Sequence, residues 1–574
     1  MHWNLILVPV VFLLTVFGPG FLCVRRLDWS IEEKIAASLT LSLLFLGLAC
    51  FGVFASGLPR AAHGVILAAC AVLTISLSPG ILRLLASPEA RRLLAGFGLL
   101  ALWVLALLGL IRNYSGGAWY GDWLEHYQRS LFFLGGHSAA ETFQGYALPA
   151  RPPLVNAIAA YFLALAGEEY RVYQLTDALL GLLVYFPACL IAGLAGPARR
   201  HLPGIVAIFL MLNPMFVQNA TYSWTKLPAA FFVLSGVAFY VAGLRHGDFR
   251  RILLAFTCLA AGVLAHYSSA PYALFLAAHY LLFVLPRAQR RWRELAAILL
   301  VGAVVLGPWL AWSVTTYGPL ASLASPSSVR DLNILSAREH VLRVAGNLRD
   351  TLVPHLIRSV GPTPPGPGWS WGGLRDTTFH AYQQTLPFGL GLLGPALMLY
   401  ELIRSRRPGS GSVPAGRRFW VSFALFTLVT GVAAHATAAP LGLAHVVLQP
   451  LVILGIMFLA ARFEVWPRAV RWIASAGLGL DVLMGVALHF WFQATPIPGL
   501  AGTPRPTGPP LQDLLVGSAL ENRSLQSRYD VVFIGNDLRA CAWIPALLAC
   551  AALCCGISIM FRRVMDRPRD PAGR

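Results

Sequence analysis

The stretch YGDWLEHY, Tyr120 to Tyr127, sets Asp122, Glu125 and His126 just beyond an uncharged apolar run, LLAGFGLLALWVLALLGLI, Leu93 to Ile111. Residues at i, i+3 and i+4 share one face of a helix, so this spacing gathers two carboxylates and an imidazole. Such a group can take or give a proton or hold a metal ion. His126 can act as acid, base or ligand, or simply be solvated at an interface. Cations lie downstream: Arg151 in RPPLVNAIAAYFLALAG, Arg171 in EEYRVYQ and Lys226 in YSWTKLPAAFF. The chain has 42 Arg but only two Lys, Lys34 and Lys226. A lysine flanked by Trp224 and Pro228 at a membrane boundary is expensive unless it snorkels or is paired. His266 and Tyr267 mark a break between two apolar runs, where irregular backbone normally faces a cavity rather than lipid. Plainer roles stand beside these: Asp122 as a helix cap, Arg151 as an anchor among headgroups.

The elements that position these groups follow from composition. With 57% hydrophobic and 12% charged residues and a mean hydropathy of +0.66, the chain reads as an all-α polytopic membrane protein. Apolar runs long enough to cross a bilayer number about fifteen. They lie near 3–24, 34–57, 62–84, 93–111, 172–198, 203–219, 226–244, 251–265, 268–286, 294–314, 386–404, 418–434, 441–461, 469–490 and 541–561. With the N-terminus outside and the C-terminus cytoplasmic, the basic clusters Arg25-Arg26, Arg91-Arg92, Arg199-Arg200, Arg290-Arg291, Arg406-Arg407 and Arg562-Arg563 all fall on the cytoplasmic side. That is the expected bias. The net charge of +19 then reflects topology and lipid contact, and no nucleic-acid motif accompanies it. The first apolar run lacks a basic leader, so no cleavable signal is expected. Nine cysteines, all in or at the edge of predicted helices, predict no disulfide. The Arg-, Ala-, Gly- and Pro-rich composition suits a GC-rich bacterial genome, and hence a bacterial inner membrane.

Three outward segments hold most of the polar chemistry: 112–171, about 315–385 and about 491–540. Within the first, RPPLVNAIAAYFLALAG carries an apolar stretch too short to span, with prolines at a helix start. It is expected to be a surface helix lying on the outer leaflet. In the second, Leu332, Leu335, Val341, Leu342, Val344 and Leu348 recur at helical spacing with Arg338, Arg343 and Arg349 between them, predicting an amphipathic helix. Trp369 and Trp371 follow in a Pro- and Gly-rich stretch suited to stacking on a sugar or anchoring in headgroups. Asp481, inside an apolar run, is expected to face another helix. No Walker, Rossmann, HExxH or GxSxG pattern is present.

The acidic motif, the RPPL segment opening a surface helix, NATYSWTKLPAAFFVLSGVAFYVAGL, LAAGVLAHYSSAPYALFLAAHYLLF and GPWLAWSV occur in an order that resembles the GT-C membrane glycosyltransferases. The similar branch includes protein O-mannosyltransferases and the lipid A aminoarabinose transferase. The resemblance covers about 93–314. It implies transfer of a sugar from a polyprenyl-phosphate donor to an extracytoplasmic glycan, lipid or protein, with inversion. Asp122 or Glu125 would activate the acceptor, and Arg151, Lys226, His126, Arg171, His266 and Tyr267 would bind substrate. The family's adjacent acidic pair is here separated by Trp123 and Leu124, and its hairpin carboxylate is replaced by Lys226. If a metal takes part, a divalent cation (Mg or Mn) on Asp122 and Glu125 is expected. The implied organisation is 1–92 as three helices of unknown role, 93–314 as the catalytic module, 315–385 as a long outer loop, 386–490 as further helices, 491–540 as another outer loop, and 541–574 as a last helix with a basic tail. Two other classes fit the composition. A polysaccharide ligase or polymerase would place its decisive groups at Arg338, His340, Arg343 and His355, and a transporter would bury ionisable groups deep within its helices.

Overall fold

A computed structural model of the chain describes residues 3–112, 114, 121–196, 200–324, 335–354, 381–404, 416–435, 438–439, 442–445, 447–489, 529 and 531–565. Leu332, His355, Trp369 and Trp371 lie outside the described residues. The molecule is an all-α polytopic membrane protein. Among the described residues, nine helices are long and apolar enough to cross a bilayer, rising to eleven if two bent pairs each count as one span. Their strand content is one two-residue antiparallel hairpin, Thr142–Phe143 with Tyr146–Ala147.

Several apolar runs of the sequence form shorter or broken helices. Phe249–Ala265 has 17 residues and Gln449–Arg462 has 14, lengths of about 26 and 21 Å against a hydrocarbon core of about 30 Å. The run near 203–219 bends by 78° where Asn213 precedes Pro214, because proline disfavours helical backbone in the residue before it. The Asn213 side chain accepts the Phe216 N–H at 2.9 Å and starts the next helix. The run near 386–404 divides into Leu386–Gly389 and Gly394–Arg404. Asp481, expected against another helix, faces that break, accepting the Leu392 N–H at 2.8 Å and the Tyr382 hydroxyl at 3.0 Å.

The segment expected on the membrane surface sits elsewhere. Leu154–Ala166 has 13 residues, too few to span, and it is buried along almost its whole length. It packs against Trp3–Thr15, Ile31–Ala55 and the acidic helix Asp122–Phe132. A helix apolar on nearly every side is buried by protein as readily as by lipid, and the residue pattern alone does not separate the two. The packing is close: a Cβ added to Gly47 would meet Leu154 Cδ1 at 2.2 Å. The N-terminal helices therefore form a wall of the body that carries the acidic motif.

The helix Ala337–Leu352 begins with a capping box between Ser336 and Glu339. Its buried face is polar, and two of its apolar residues point outward: Asn347, Asp350 and Thr351 are buried, whereas Val341 is 66% and Leu342 61% exposed. The inward groups satisfy irregular backbone beside them. Asn347 Oδ1 accepts the Ala439 N–H at 2.8 Å and Thr351 Oγ1 accepts the Leu443 N–H at 3.1 Å.

Candidate functional site

The acidic helix starts at Asp122, and its N-cap is Gly121, with φ 80° and no side chain to cap with. Asp122 is thus the first helical residue and not the cap. Residues other than glycine reach that backbone region only at a cost, so Gly121 sets the angle at which the helix begins. Trp123 anchors the opposite side, with ring centroids 5.8 Å from Tyr114, 5.1 Å from Tyr170 and 5.8 Å from Phe533. This leaves Asp122, Glu125, His126 and Arg129 along one face.

Arg129 is the functional residue that the motif reading missed. It is fully buried, donates from Nε to Glu125 Oε1 at 2.8 Å, and donates to the Leu148 and Ala147 carbonyls at 2.8 and 3.1 Å. Its guanidinium also lies 4.9 Å from the centre of the Phe143 ring. The hairpin and the turn after it are thereby folded onto the acidic helix, which delivers Arg151. Arg151 Nε lies 3.4 Å from the same Glu125 oxygen, and its guanidinium stacks over Tyr146 at 5.0 Å. The signal for Arg129 was present in the sequence: it follows Glu125 by four residues, the spacing of an ion pair on a helix.

His126 is buried, and its Nδ1 lies 3.2 Å from Asn156 Oδ1 on the neighbouring helix. Lys226, at the start of Lys226–His246, is 5% exposed. Its Nζ lies 2.7 Å from His266 Nε2 and 5.0 Å from the centre of the Trp224 ring. The Tyr267 hydroxyl donates to the Pro149 carbonyl at 3.2 Å and accepts from Trp309 Nε1 at 3.2 Å. Tyr267 therefore ties the 266–269 turn to the loop that carries Arg151. Arg171 stands apart from this cluster, paired with Glu169 and, at 2.6 Å, with Asp537.

The electrostatics separate the two carboxylates. Burial, reinforced by the Glu125 charge and opposed by Arg151 and Lys226, pushes the Asp122 carboxyl up to about 7. Burial also works upward on Glu125, but Arg151 and Arg129 outweigh it and hold the carboxyl below its ordinary value. Burial pushes His126 down to about 3 against the pull of Glu125, so its imidazole is neutral. Burial lowers Arg129 to about 10. Burial acts the same way on Arg151, but Glu125 and Asp122 prevail and raise it. One acidic group is thus poised to exchange a proton near neutral pH, and the other is a fixed counter-charge.

Asp122 and Glu125 do not fit a divalent cation. Glu125 Oε1 is already shared by two guanidinium groups, and Arg151 adds to the positive surroundings of Asp122. Among the described residues, no three His, Cys, Asp or Glu side chains are grouped to hold a metal ion.

No family model and no curated protein matches the chain. The chain is similar to two solved structures of ArnT from Cupriavidus metallidurans, one bound to undecaprenyl phosphate and one in the apo state. Each shares 15% identity over 81% of this chain, with a TM-score of 0.41, and the match covers 76% and 75% of the two ArnT chains.

Proposed function

We propose that this chain is an integral-membrane glycosyltransferase that moves a sugar from a polyprenyl-phosphate donor to an extracytoplasmic acceptor, with inversion at the anomeric carbon. The observation that carries the reading is Asp122: a carboxyl held near 7 at the head of a helix, faced by Arg151 and Lys226. A general base works best when its pKa lies near the operating pH, and a departing phosphate needs cations preorganised where its charge develops. In the proposed step, Asp122 takes the proton of the acceptor hydroxyl as that oxygen bonds to the anomeric carbon. The bond from that carbon to the phosphate oxygen breaks, and the electron pair leaves with the polyprenyl phosphate. Arg151 and Lys226 meet the charge, and Glu125 with Arg129 holds Arg151 in place. No step requires a metal, in keeping with the donor set.

The test supplies membranes containing the protein with labelled polyprenyl-phosphate sugar and compares wild type with Asp122→Asn. Loss of transfer in the variant supports the reading, and undiminished transfer removes Asp122 as the base. If Arg338→Ala or His340→Ala abolished transfer while Asp122→Asn did not, the ligase chemistry would replace it.

A further inference from the structure

Lys226 and His266 pose a proton-counting problem. His266 caps the short turn that follows it, and its Nδ1 accepts the Ser268 backbone N–H at 3.1 Å. An imidazole nitrogen that accepts carries no proton, so this ring is neutral with its hydrogen on Nε2. That Nε2–H faces Lys226 Nζ at 2.7 Å. An ammonium has three donors and no acceptor, so two donors would confront each other if Lys226 were charged. A free amine has the lone pair that the contact needs.

We propose that His266 holds Lys226 as an uncharged amine in the substrate-free protein, and that Lys226 takes up one proton from solvent when a phosphate monoester occupies the site. The first half stands on the Lys226–His266–Ser268 geometry alone, and the second rests on the donor chemistry proposed above. The groups around Lys226 agree. Arg151 faces it from the start of Leu154–Ala166, and Asp122 and Glu125 from the acidic helix. Glu125 is already neutralised by Arg129 and Arg151. On Tyr170–Leu182, the carboxylate of Asp177 accepts the Trp224 backbone N–H at 2.7 Å. Among the described residues, a charged Lys226 therefore has only Asp122 to answer it, and without a second counter-charge the contact with His266 Nε2–H tips it to the free amine. A phosphate monoester supplies that counter-charge. Once protonated, Lys226 must turn from His266 Nε2–H to the phosphate, which frees the His266 donor to bond a second phosphate oxygen.

The chain has only two lysines, which makes the test direct. Full-length protein carrying Lys34→Arg and ¹⁵N-labelled at the lysine side chain gives a single Nζ signal in lipid nanodiscs. The expected result at pH 7 is an amine signal that becomes an ammonium signal on saturation with polyprenyl phosphate, with about one proton taken up per site. His266→Phe, which removes the Nε2–H donor, should give the ammonium signal without any lipid phosphate. An ammonium signal in the empty His266 protein overturns the inference whatever the enzyme's function. An amine signal that persists after ³¹P spectra show the lipid phosphate bound overturns the proton uptake. Failure of polyprenyl phosphate to bind overturns the donor reading and the uptake with it, while the amine signal still upholds the lysine assignment.

Discussion

Replacing Asp122 by Asn tests the base and the local electrostatics together. The carboxyl stands at about 7, so its ionised fraction is about one tenth at pH 6 and about nine tenths at pH 8. Only the carboxylate can accept the acceptor's proton. Lowering the pH through 7 therefore removes activity, and kcat/KM should rise about tenfold from pH 6 to pH 8 and fall about tenfold per unit below pH 6. Asn cannot take a proton, so Asp122→Asn should lose about 10²- to 10⁴-fold in transfer, the usual contribution of a general base, and its residual rate should lack the acid limb. Glu125→Gln makes the companion measurement. The Glu125 charge raises Asp122, so its removal should move the acid limb to lower pH. The assay is transfer of label from a polyprenyl-phosphate sugar in membranes or purified protein across pH 5 to 9. An acid limb that persists in Asp122→Asn, or one that stays in place in Glu125→Gln, refutes the argument.

Other expectations follow from particular contacts. Arg129→Met removes the buried partner of Glu125 and strands two carbonyls; breaking a buried pair costs about 3–5 kcal/mol, so the purified variant should unfold at a clearly lower temperature. Gly121→Ala forces an L side chain to φ 80° at about 1–2 kcal/mol, and should slow transfer by tilting Asp122 while leaving the donor KM near wild type. Arg171→Gln breaks the pair with Asp537 at a partly exposed site; a stability loss of about 1 kcal/mol or less with unchanged donor affinity is expected, and a large rise in donor KM would instead make Arg171 a phosphate ligand. Treatment with EDTA should leave transfer unchanged, as measured by the same label assay, because Glu125 Oε1 is already shared by two guanidinium groups and Arg151 adds positive charge beside Asp122.

Helical spacing made part of this site legible in the sequence, and folding supplied the rest. The three-and-four spacing of Asp122, Glu125 and His126 needs nothing beyond a helix, and the structure places all three on one. Extending the same rule by one turn reaches Arg129, whose role as the hub of the hairpin was still hidden because its other partners are backbone carbonyls at 147 and 148. Carbonyl acceptors leave no trace in residue identity. The capping role for Asp122 failed for a related reason: the left-handed backbone at Gly121 takes the N-cap position and shifts the helix start by one residue. Leu154–Ala166 was legible in length and not in location, since a nearly all-apolar helix satisfies lipid and protein alike.

The Lys226–His266 contact was open to a stricter reading of the chain than motif spacing gives. Lys226–His246 and Phe249–Ala265 form an antiparallel hairpin whose turn is Gly247, at φ 62°, followed by Asp248, which accepts the Arg250 N–H. Lys226 and His266 lie almost equally far along the chain on either side of that turn, so two helices of equal rise must bring them to the same level. A Gly-Asp turn between two apolar runs thus predicts which residues meet at the far end, and one of the chain's two lysines meets a histidine there. What periodicity leaves out is the Ser268 N–H, because it belongs to a turn formed only when the second helix stops. That single donor decides where the imidazole proton sits, and through it the charge on Lys226.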